Sequence, residues 1–197
     1  MNRRRFALRI ATVAAALAAI TTLPACQDKP ADSTAAPAAK PSAQEIYALA
    51  AKGSGFTVGP MMAANTVYVF FDPACPHCAH LWNAAKPLAG RMKVVWMPIS
   101  LLRSASGPQG AAILAAADPA AAMAQNEASV LARGDGIAVP DGLPDEALNK
   151  VKANTELFRQ AGAESVPFIV YRNAKTGQYG AQAGAVGTEE LAAMVGV

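Results

Sequence analysis

Alternating hydrophobic and polar segments predict a strand, a helix and a second strand in the first half of the chain. Residues 66–71 form an unbroken run of β-branched and aromatic side chains, the pattern of a strand buried on both faces, and residues 93–99 form a similar run. Between them, apolar residues recur at helical spacing from Cys75 onward, and Pro87 predicts a kink in this helix. Such a unit implies two parallel strands joined by a right-handed crossover.

The second half of the chain predicts a helical insert, a hairpin and a last helix. In chain order, the predicted features are an Ala-rich helix from Gly107 to Ala117, a helix capped by Asp118, a loop from Gly134 to Pro144, an amphipathic helix over 147–161 ended by Gly162, strands at 168–171 and 179–183, and a helix capped by Thr188. This order predicts an α/β protein with a small mixed sheet between helices. It resembles the thioredoxin-like fold, with a helical insert at about 104–162 between the βαβ and ββα halves.

The first 42 residues predict an export signal and a tether. Residues 1–26 combine a basic start with an apolar stretch that is shorter than the roughly 20 residues needed to span a bilayer. Ala25-Cys26 resembles a bacterial lipobox, so we expect lipidation of Cys26; plain signal cleavage and a retained signal anchor are the alternatives. The basic start is also similar to a twin-arginine signal. Residues 27–42 are rich in Ala, Pro and Ser and predict a disordered tether before a folded domain at 43–197.

Composition and charge exclude several classes of protein. With 53% hydrophobic and 16% charged residues, the chain has enough apolar material for a core and is not disordered as a whole. The formal net charge of +3 is due to Arg3, Arg4, Arg5 and Arg9, which lie in the predicted signal. The rest of the chain is close to neutral, which argues against binding to nucleic acid.

The motif Cys75-Pro76-His77-Cys78 carries the predicted chemistry. A Cys-x-x-Cys pair between a buried strand and a helix is typical of a redox-active pair. Free N–H groups and the dipole at the helix N-terminus favour a thiolate on Cys75, while Cys78 lies one turn deeper and can attack a mixed disulfide formed at Cys75. His77 adds a donor and a source of positive charge, and Pro76 stiffens the turn. Because a stabilised thiolate stabilises the reduced form, we expect an oxidising pair.

Two other interpretations of the cysteine pair stay open at this point. The first is a purely structural disulfide, which is strained when only two residues separate the cysteines. The second is a metal site, because Cys75, His77, Cys78 and His80 supply four potential ligands; zinc sites, however, usually gather their ligands from two separated segments.

Pro167 is the second local feature that points to the site. It stands directly before a predicted strand, where a residue without an N–H group is unusual. Only about 5–6% of X–Pro bonds in folded proteins are cis, so the sequence alone favours a trans bond between Val166 and Pro167.

Several motifs together resemble the periplasmic thiol:disulfide interchange proteins of the DsbC/DsbG type, most closely DsbG. The matching residues are 71–78, Trp82, Lys86-Pro87, 111–114, Asp118-Pro119, Glu156-Leu157, Gly162-Ala163, Pro167 and Ala183-Gly184. The resemblance implies that Cys75 is the exposed nucleophile, that Cys78 is the resolving cysteine, and that Pro167 is a cis-proline that faces the pair and helps to dock the substrate backbone.

The sequence also departs from that family. Members carry an aromatic residue where His77 stands and commonly Thr where Val166 stands, and the residues found here are instead similar to those of the oxidase DsbA. Val166 has no hydroxyl group to offer to the nearby sulfur. Residues 43–64 are too few for the dimerisation domain of the family, so we expect a monomer with weak isomerase activity.

The sequence therefore predicts an exported thiol–disulfide oxidoreductase that acts on protein cysteines and uses no cofactor beyond Cys75 and Cys78. We expect it in the periplasm, tethered to a membrane through Cys26, with a membrane redox partner that resets the pair. One alternative is a reductase of sulfenic acids, which the likeness to DsbG favours. The other is a non-catalytic, lipid-tethered module on the same fold that binds peptides or metals.

Overall fold

The computed structural model describes residues 40–63 and 66–197, so the predicted export signal, Cys26 and nearly all of the predicted tether lie outside the described residues. The helices are α1 (Ala43–Ala50), α2 (Pro76–Ala85), α3 (Ser106–Ala115), α4 (Pro119–Leu131), α5 (Asp145–Gln160) and α6 (Thr188–Val195). The strands are β1 (Phe56–Val58), β2 (Thr66–Phe71), β3 (Lys93–Pro98), β4 (Phe168–Arg172) and β5 (Tyr179–Ala183). Within the described residues, no helix is long and apolar enough to cross a membrane.

The five strands form one mixed sheet in the order β1-β3-β2-β4-β5. β2 and β3 are parallel, as the strand–helix–strand pattern predicts, and β4 and β5 form the predicted antiparallel hairpin. β2 is the middle strand of the sheet. Its apolar residues are buried or half-buried along the whole strand, as expected for a strand that is covered on both faces. The α/β class and the two halves separated by helices are confirmed.

The helices of the insert follow the signals in the sequence closely. The side chain of Asp118 accepts a hydrogen bond from the backbone N–H of Ala121 and Pro119 is the first residue of α4, as expected for this cap. Gly162, with φ of +70°, follows the end of α5 in the left-handed conformation that glycine adopts easily. α3 packs against α5, and α4 packs against α2, so the insert reaches the helix that carries the cysteines.

Pro87 lies just beyond the end of α2, where the sequence predicts a kink. The α-helix ends at Ala85 and a short 3₁₀ turn, Lys86–Leu88, follows it. Before this end, Trp82 packs edge-on against Trp96 of β3, with ring centroids 5.0 Å apart. This contact fixes α2 on the sheet directly behind the cysteine motif.

Two elements, α1 and β1, were not predicted from the sequence. Ser42 and Glu45 form a capping box at the start of α1, and the hydroxyl of Tyr47 donates to the carbonyl oxygen of Thr66. β1 pairs antiparallel with β3, so that Phe56 faces Trp96. Both elements are too short to show a clear periodicity, and tertiary contacts rather than local pattern hold them in place.

The predicted cap of α6 is wrong. Gly187 occupies the N-cap position and Thr188 is the first helical residue. The Thr188 hydroxyl donates to the carbonyl oxygen of Ala84 in α2 at 2.9 Å instead of capping its own helix. The Thr188 hydroxyl therefore binds a residue of another helix and not the backbone of its own helix.

Candidate active site

The cysteine motif lies where β2 ends and α2 begins. Cys75 is the N-cap residue of α2 and Pro76 occupies the first turn. The backbone N–H of Cys78 donates to the carbonyl oxygen of Cys75 at 3.0 Å, which closes the first turn of the helix. Both cysteines are free thiols. The loop between β2 and α2 has thus placed two sulfurs at the N-terminus of one helix, as the sequence predicts.

The exposure of Cys75 differs from what the resemblance implies. Cys78 is fully buried as expected, but Cys75 is only 3% exposed rather than open to solvent. The loop before β4 lies against it, with the sulfur of Cys75 3.6 Å from the carbonyl oxygen of Val166.

Pro167 is where the resemblance places it. The peptide bond between Val166 and Pro167 is cis, which the sequence alone did not favour and the resemblance did. The carbonyl oxygen of Pro167 accepts a hydrogen bond from Gly184 beyond the end of β5. Although Val166 has no hydroxyl group, its backbone carbonyl is the group that contacts the sulfur.

The pKa values of the two cysteines are shifted in opposite directions. The pKa of Cys75 is lowered to about 6, chiefly by the hydrogen bond from the Cys78 thiol, with further help from the backbone N–H groups of Cys78 and His77 and from the charge of His77. Burial is the main cause that raises the pKa of Cys78 well above its usual range, and the neighbouring Cys75 adds to it. One cysteine is therefore a thiolate at neutral pH while the other keeps its proton.

The side chain of His77 lowers the pKa of Cys75 less than the sequence suggests. Its side chain is exposed, and its charge is the smallest of the named influences on the pKa of Cys75. His80 is exposed as well, and the two imidazole rings are 6.4 Å apart. Among residues 40–63 and 66–197, no three His, Cys, Asp or Glu side chains are arranged to hold a metal ion.

Asp72 organises the loops around the motif, a role that the sequence did not reveal. It is fully buried, and one of its carboxylate oxygens accepts from the Ala74 N–H at 2.8 Å and from the Ser106 hydroxyl at 2.7 Å. The other oxygen accepts from the N–H groups of Leu101 and Leu102 at 2.8 and 2.9 Å. Asp72 thereby ties the turn before Cys75 to the loop that follows β3.

A second buried polar group comes from α4. The side-chain amide of Asn126 donates to the carbonyl oxygen of Pro73 at 2.8 Å, and its oxygen accepts from the N–H of Ile137 at 3.0 Å. Glu127, the next residue, is only 1% exposed. Sequence reasoning missed both residues, although the spacing of Met123, Asn126 and Val130 places them on one face of the helix.

The fold and the cysteine pair define a thioredoxin-like protein with a two-cysteine site. A solved structure of a periplasmic thioredoxin-like protein from Salmonella enterica serovar Typhimurium superposes with a TM-score of 0.60 at 17% identity, over 77% of this chain and 94% of that chain. No family model matches the sequence.

The curated relatives are thiol:disulfide interchange proteins named DsbG. The protein from Pseudomonas aeruginosa is 29% identical over 158 residues, which cover 79% of this chain and 60% of that protein. The protein from Escherichia coli K12 is 30% identical over 135 residues, which cover 66% of this chain and 53% of that protein. The chain thus spans between half and two thirds of the length of these relatives, and the resemblance to the DsbC/DsbG type is confirmed over most of this chain.

Proposed function

We propose that this protein exchanges disulfides with the cysteines of other proteins through Cys75 and Cys78. The observation that carries the proposal is the difference between the pKa values of the two cysteines at the start of α2: the pKa of Cys75 is about 6, and the pKa of Cys78 is raised. In this chemistry a thiolate is the nucleophile of the first step. The neighbouring thiol stays protonated until the second step, in which it attacks the mixed disulfide. The relation to the DsbG proteins supports the same assignment.

The exchange takes place in two steps. In the reducing direction, the Cys75 thiolate attacks one sulfur of a substrate disulfide, a mixed disulfide forms, and the other substrate sulfur leaves as a thiolate. Cys78 then loses its proton and attacks the sulfur of Cys75, so that the second substrate sulfur leaves and the Cys75–Cys78 disulfide forms. In the oxidising direction, the same steps run in reverse and two substrate thiols become a disulfide. Two electrons pass between the pairs in either case.

The stabilised thiolate supports an oxidising pair. The lower the pKa of Cys75, the more the reduced form is stabilised relative to the disulfide. We therefore expect a reduction potential above that of thioredoxin, which is about −270 mV. Equilibration with glutathione measures this potential directly, and a value at or below that of thioredoxin contradicts the expected direction.

The position of each site residue supports the role that we assign to it. We assign Cys75 as the nucleophile and Cys78 as the resolving cysteine, with Pro76 shaping the turn and Pro167 and Val166 forming the wall on which a substrate chain docks. The contact between the Val166 carbonyl and the Cys75 thiol at 3.6 Å supports this placement of the wall. His77 tunes the sulfur mainly through its backbone N–H.

We place the protein in the periplasm, tethered by lipid on Cys26. The support is the basic and apolar pattern of residues 1–26, the Ala25-Cys26 pair and the polar stretch after it. Metabolic labelling with a fatty acid tests the tether: the wild type should be labelled and Cys26→Ser should not. A soluble, unlabelled wild-type protein contradicts it.

We further propose a monomer that depends on a membrane redox partner to reset the pair. In support, the elements within residues 43–63 make contacts inside the domain: α1 packs against β4 and β5, and β1 pairs with β3. Light scattering together with recovery of a scrambled multi-disulfide enzyme tests this point. A stable dimer with strong repair activity contradicts it.

Trapping of mixed disulfides tests the function itself. In cells that express the full chain, Cys78→Ala should accumulate disulfide-linked complexes with other proteins because the resolving step is blocked. Cys75→Ala is the matched control, since it keeps Cys26 and Cys78 and should trap nothing. Mass spectrometry of the complexes identifies the substrates. If Cys78→Ala traps no more protein than Cys75→Ala, the proposed function is wrong.

A further inference from the structure

Two adjacent methionines between β1 and β2 are open to solvent. Met62 is 95% exposed and Met61 is 70% exposed, the two highest values among the large hydrophobic side chains of the described residues. Just before them, Gly59 has a φ of +106°, and a side chain there would run into the carbonyl oxygen of Met92, so the chain leaves β1 close against the turn before β3. Neighbouring apolar side chains that stay in water indicate a contact surface.

Other segments meet the methionine pair at the same end of the sheet. β2 and β3 begin side by side, with Thr66 paired to Lys93. A cavity of about 140 Å³ joins the segment before β2, the turn before β3, the turn between β4 and β5 and the end of α6, and residues from each of them line it: Ala63, Arg91, Ala174 and Val197. We call the outer side of this end the end surface and define it by five residues: Met61, Met62, Arg91, Lys93 and Lys175.

The charged side chains of the end surface are all positive. Arg91 and Lys175 are exposed and Lys93 is half-buried. The segments to which the five residues belong, 59–63, 86–93 and 172–178, contain no Asp or Glu. Within the described residues these three cations take part in no ion pair, and the acid of α1, Glu45, is bound by Ser42. Exposed apolar side chains combined with positive charge are the features that bind anionic lipid.

The end surface lies where the described chain enters the domain and away from the cysteines. The hydroxyl of Tyr47 in α1 donates to the carbonyl oxygen of Thr66, and its ring packs against Tyr179, so α1 contacts the first residues of β2 and β5. The cysteine motif follows the other end of β2, a strand of 6 residues. A strand of this length spans about 20 Å. A substrate protein joined to Cys75 therefore lies toward the opposite end of the domain.

We propose that the end surface rests on a membrane of anionic phospholipid. Met61 and Met62 lie among the lipid chains just below the headgroups, while the long side chains of Arg91, Lys93 and Lys175 reach the lipid phosphates. The proposed tether keeps the domain near the bilayer, so these weak contacts form at a high effective concentration. The cysteine pair then faces away from the membrane. The inference goes beyond the exchange function and rests on the membrane placement proposed above.

Light-activated crosslinking tests which residues touch lipid. The full chain is produced with a diazirine analogue of methionine, reconstituted with vesicles and irradiated, and mass spectrometry maps the lipid adducts. We expect adducts at Met61 and Met62 in vesicles of phosphatidylcholine with phosphatidylglycerol, and about tenfold fewer with phosphatidylcholine alone. Met97 and Met123 are fully buried and serve as the internal control, which should carry no adducts.

Two double variants that change the net charge equally separate the end surface from charge in general. Arg91→Glu with Lys175→Glu should lower the number of adducts about tenfold. Lys52→Glu with Lys152→Glu reverses two other exposed lysines and should leave the number unchanged. All of these proteins should react with glutathione at the same rate, because none of the four residues belongs to the cysteine site. A wild type that does not react bears on the proposed function and not on the end surface.

Three results overturn the inference. The first is that the wild type forms no adducts at Met61 and Met62. The second is that adducts form equally without phosphatidylglycerol and in Arg91→Glu with Lys175→Glu, since the tether alone then brings the methionines to lipid. The third is that irradiation of intact cells joins these methionines to a protein and not to lipid. Fatty-acid labelling tests the tether separately, so a labelled protein without adducts removes the end surface and leaves the membrane placement standing.

Discussion

Asp72 and Glu127 are two buried acids, one in the turn that leads to the cysteines and one next to Asn126, which contacts that turn, and their surroundings differ sharply. Asp72 accepts hydrogen bonds from three backbone N–H groups and one hydroxyl. Glu127 has one long contact to Asn126 and an oxygen with no partner. A buried carboxylate with several donors can connect the loops that supply them, whereas a buried carboxyl group without donors holds its proton. The number of donors, rather than burial, separates the two acids.

The largest effect is expected from removing the carboxylate of Asp72. Asp72→Ala leaves the N–H groups of Ala74, Leu101 and Leu102 and the Ser106 hydroxyl without their acceptor, so we expect a loss of about 4 kcal/mol in the free energy of unfolding. Denaturant unfolding measures it. Asp118→Ala, which removes an exposed helix cap, is the control and should cost about 1 kcal/mol. Similar losses for the two variants contradict the role of Asp72.

The next effect concerns the pH dependence of stability. In the folded, reduced protein the pKa of Glu127 is about 8, whereas its usual value is 4.5, so the unfolded chain ionises first as pH rises. The free energy of unfolding of the wild type should therefore fall relative to that of Glu127→Gln between pH 5 and pH 8, by about 3 kcal/mol, and then level off. Cys75 and Cys78 are present in both proteins, so only the part of their titration that depends on the charge of Glu127 stays in the difference. A flat difference curve contradicts the raised pKa.

A smaller effect isolates one of the four donors to Asp72. Ser106→Ala removes the hydroxyl that donates at 2.7 Å but leaves the three backbone donors in place. We expect a loss of about 1 kcal/mol in the free energy of unfolding, well below that of Asp72→Ala. Chemical denaturation of both variants compares them. Equal losses would mean that the carboxylate is held by this hydroxyl alone.

The smallest effect concerns the thiolate. Because the Cys78 thiol is the main cause of the low pKa of Cys75, Cys78→Ala should raise that pKa clearly, while Cys78→Ser keeps a hydroxyl donor and should raise it less. His77→Tyr should raise it least, because the ring of His77 is only the last of the named influences and the backbone N–H is kept. Thiolate absorbance at 240 nm, followed against pH, measures all three. A shift in His77→Tyr larger than in Cys78→Ala reverses this order.

The parts of the site that the sequence revealed are those encoded by neighbouring residues. The run at 66–71 and the motif Cys75-Pro76-His77-Cys78 are local signals, and the structure has the strand and the start of the helix where they predict them. The cis bond before Pro167 followed from the family resemblance and not from the local pattern. The sequence gives no sign of the role of Asp72, because its four donors come from three separate segments.

The environment of Glu127 is hardly visible in the neighbouring sequence. Its environment depends on α4 packing across α2, which is a tertiary contact between segments about fifty residues apart. The only local sign is a pair of polar residues on the apolar face of an Ala-rich helix. The absence of α1 and β1 from the prediction has the same origin, since each is held by partners such as Thr66 and Trp96 that lie far along the chain.

The packing of Trp82 against Trp96 also gives the protein an optical reporter. These are the 2 tryptophans of the chain, and their rings lie 5.0 Å apart. Trp82 follows Cys78 by four residues on the same helix, a spacing that brings side chains into contact distance. Since a disulfide quenches indole emission more strongly than a thiol, intrinsic fluorescence should brighten on reduction. The redox state can then be followed in real time on the unlabelled protein.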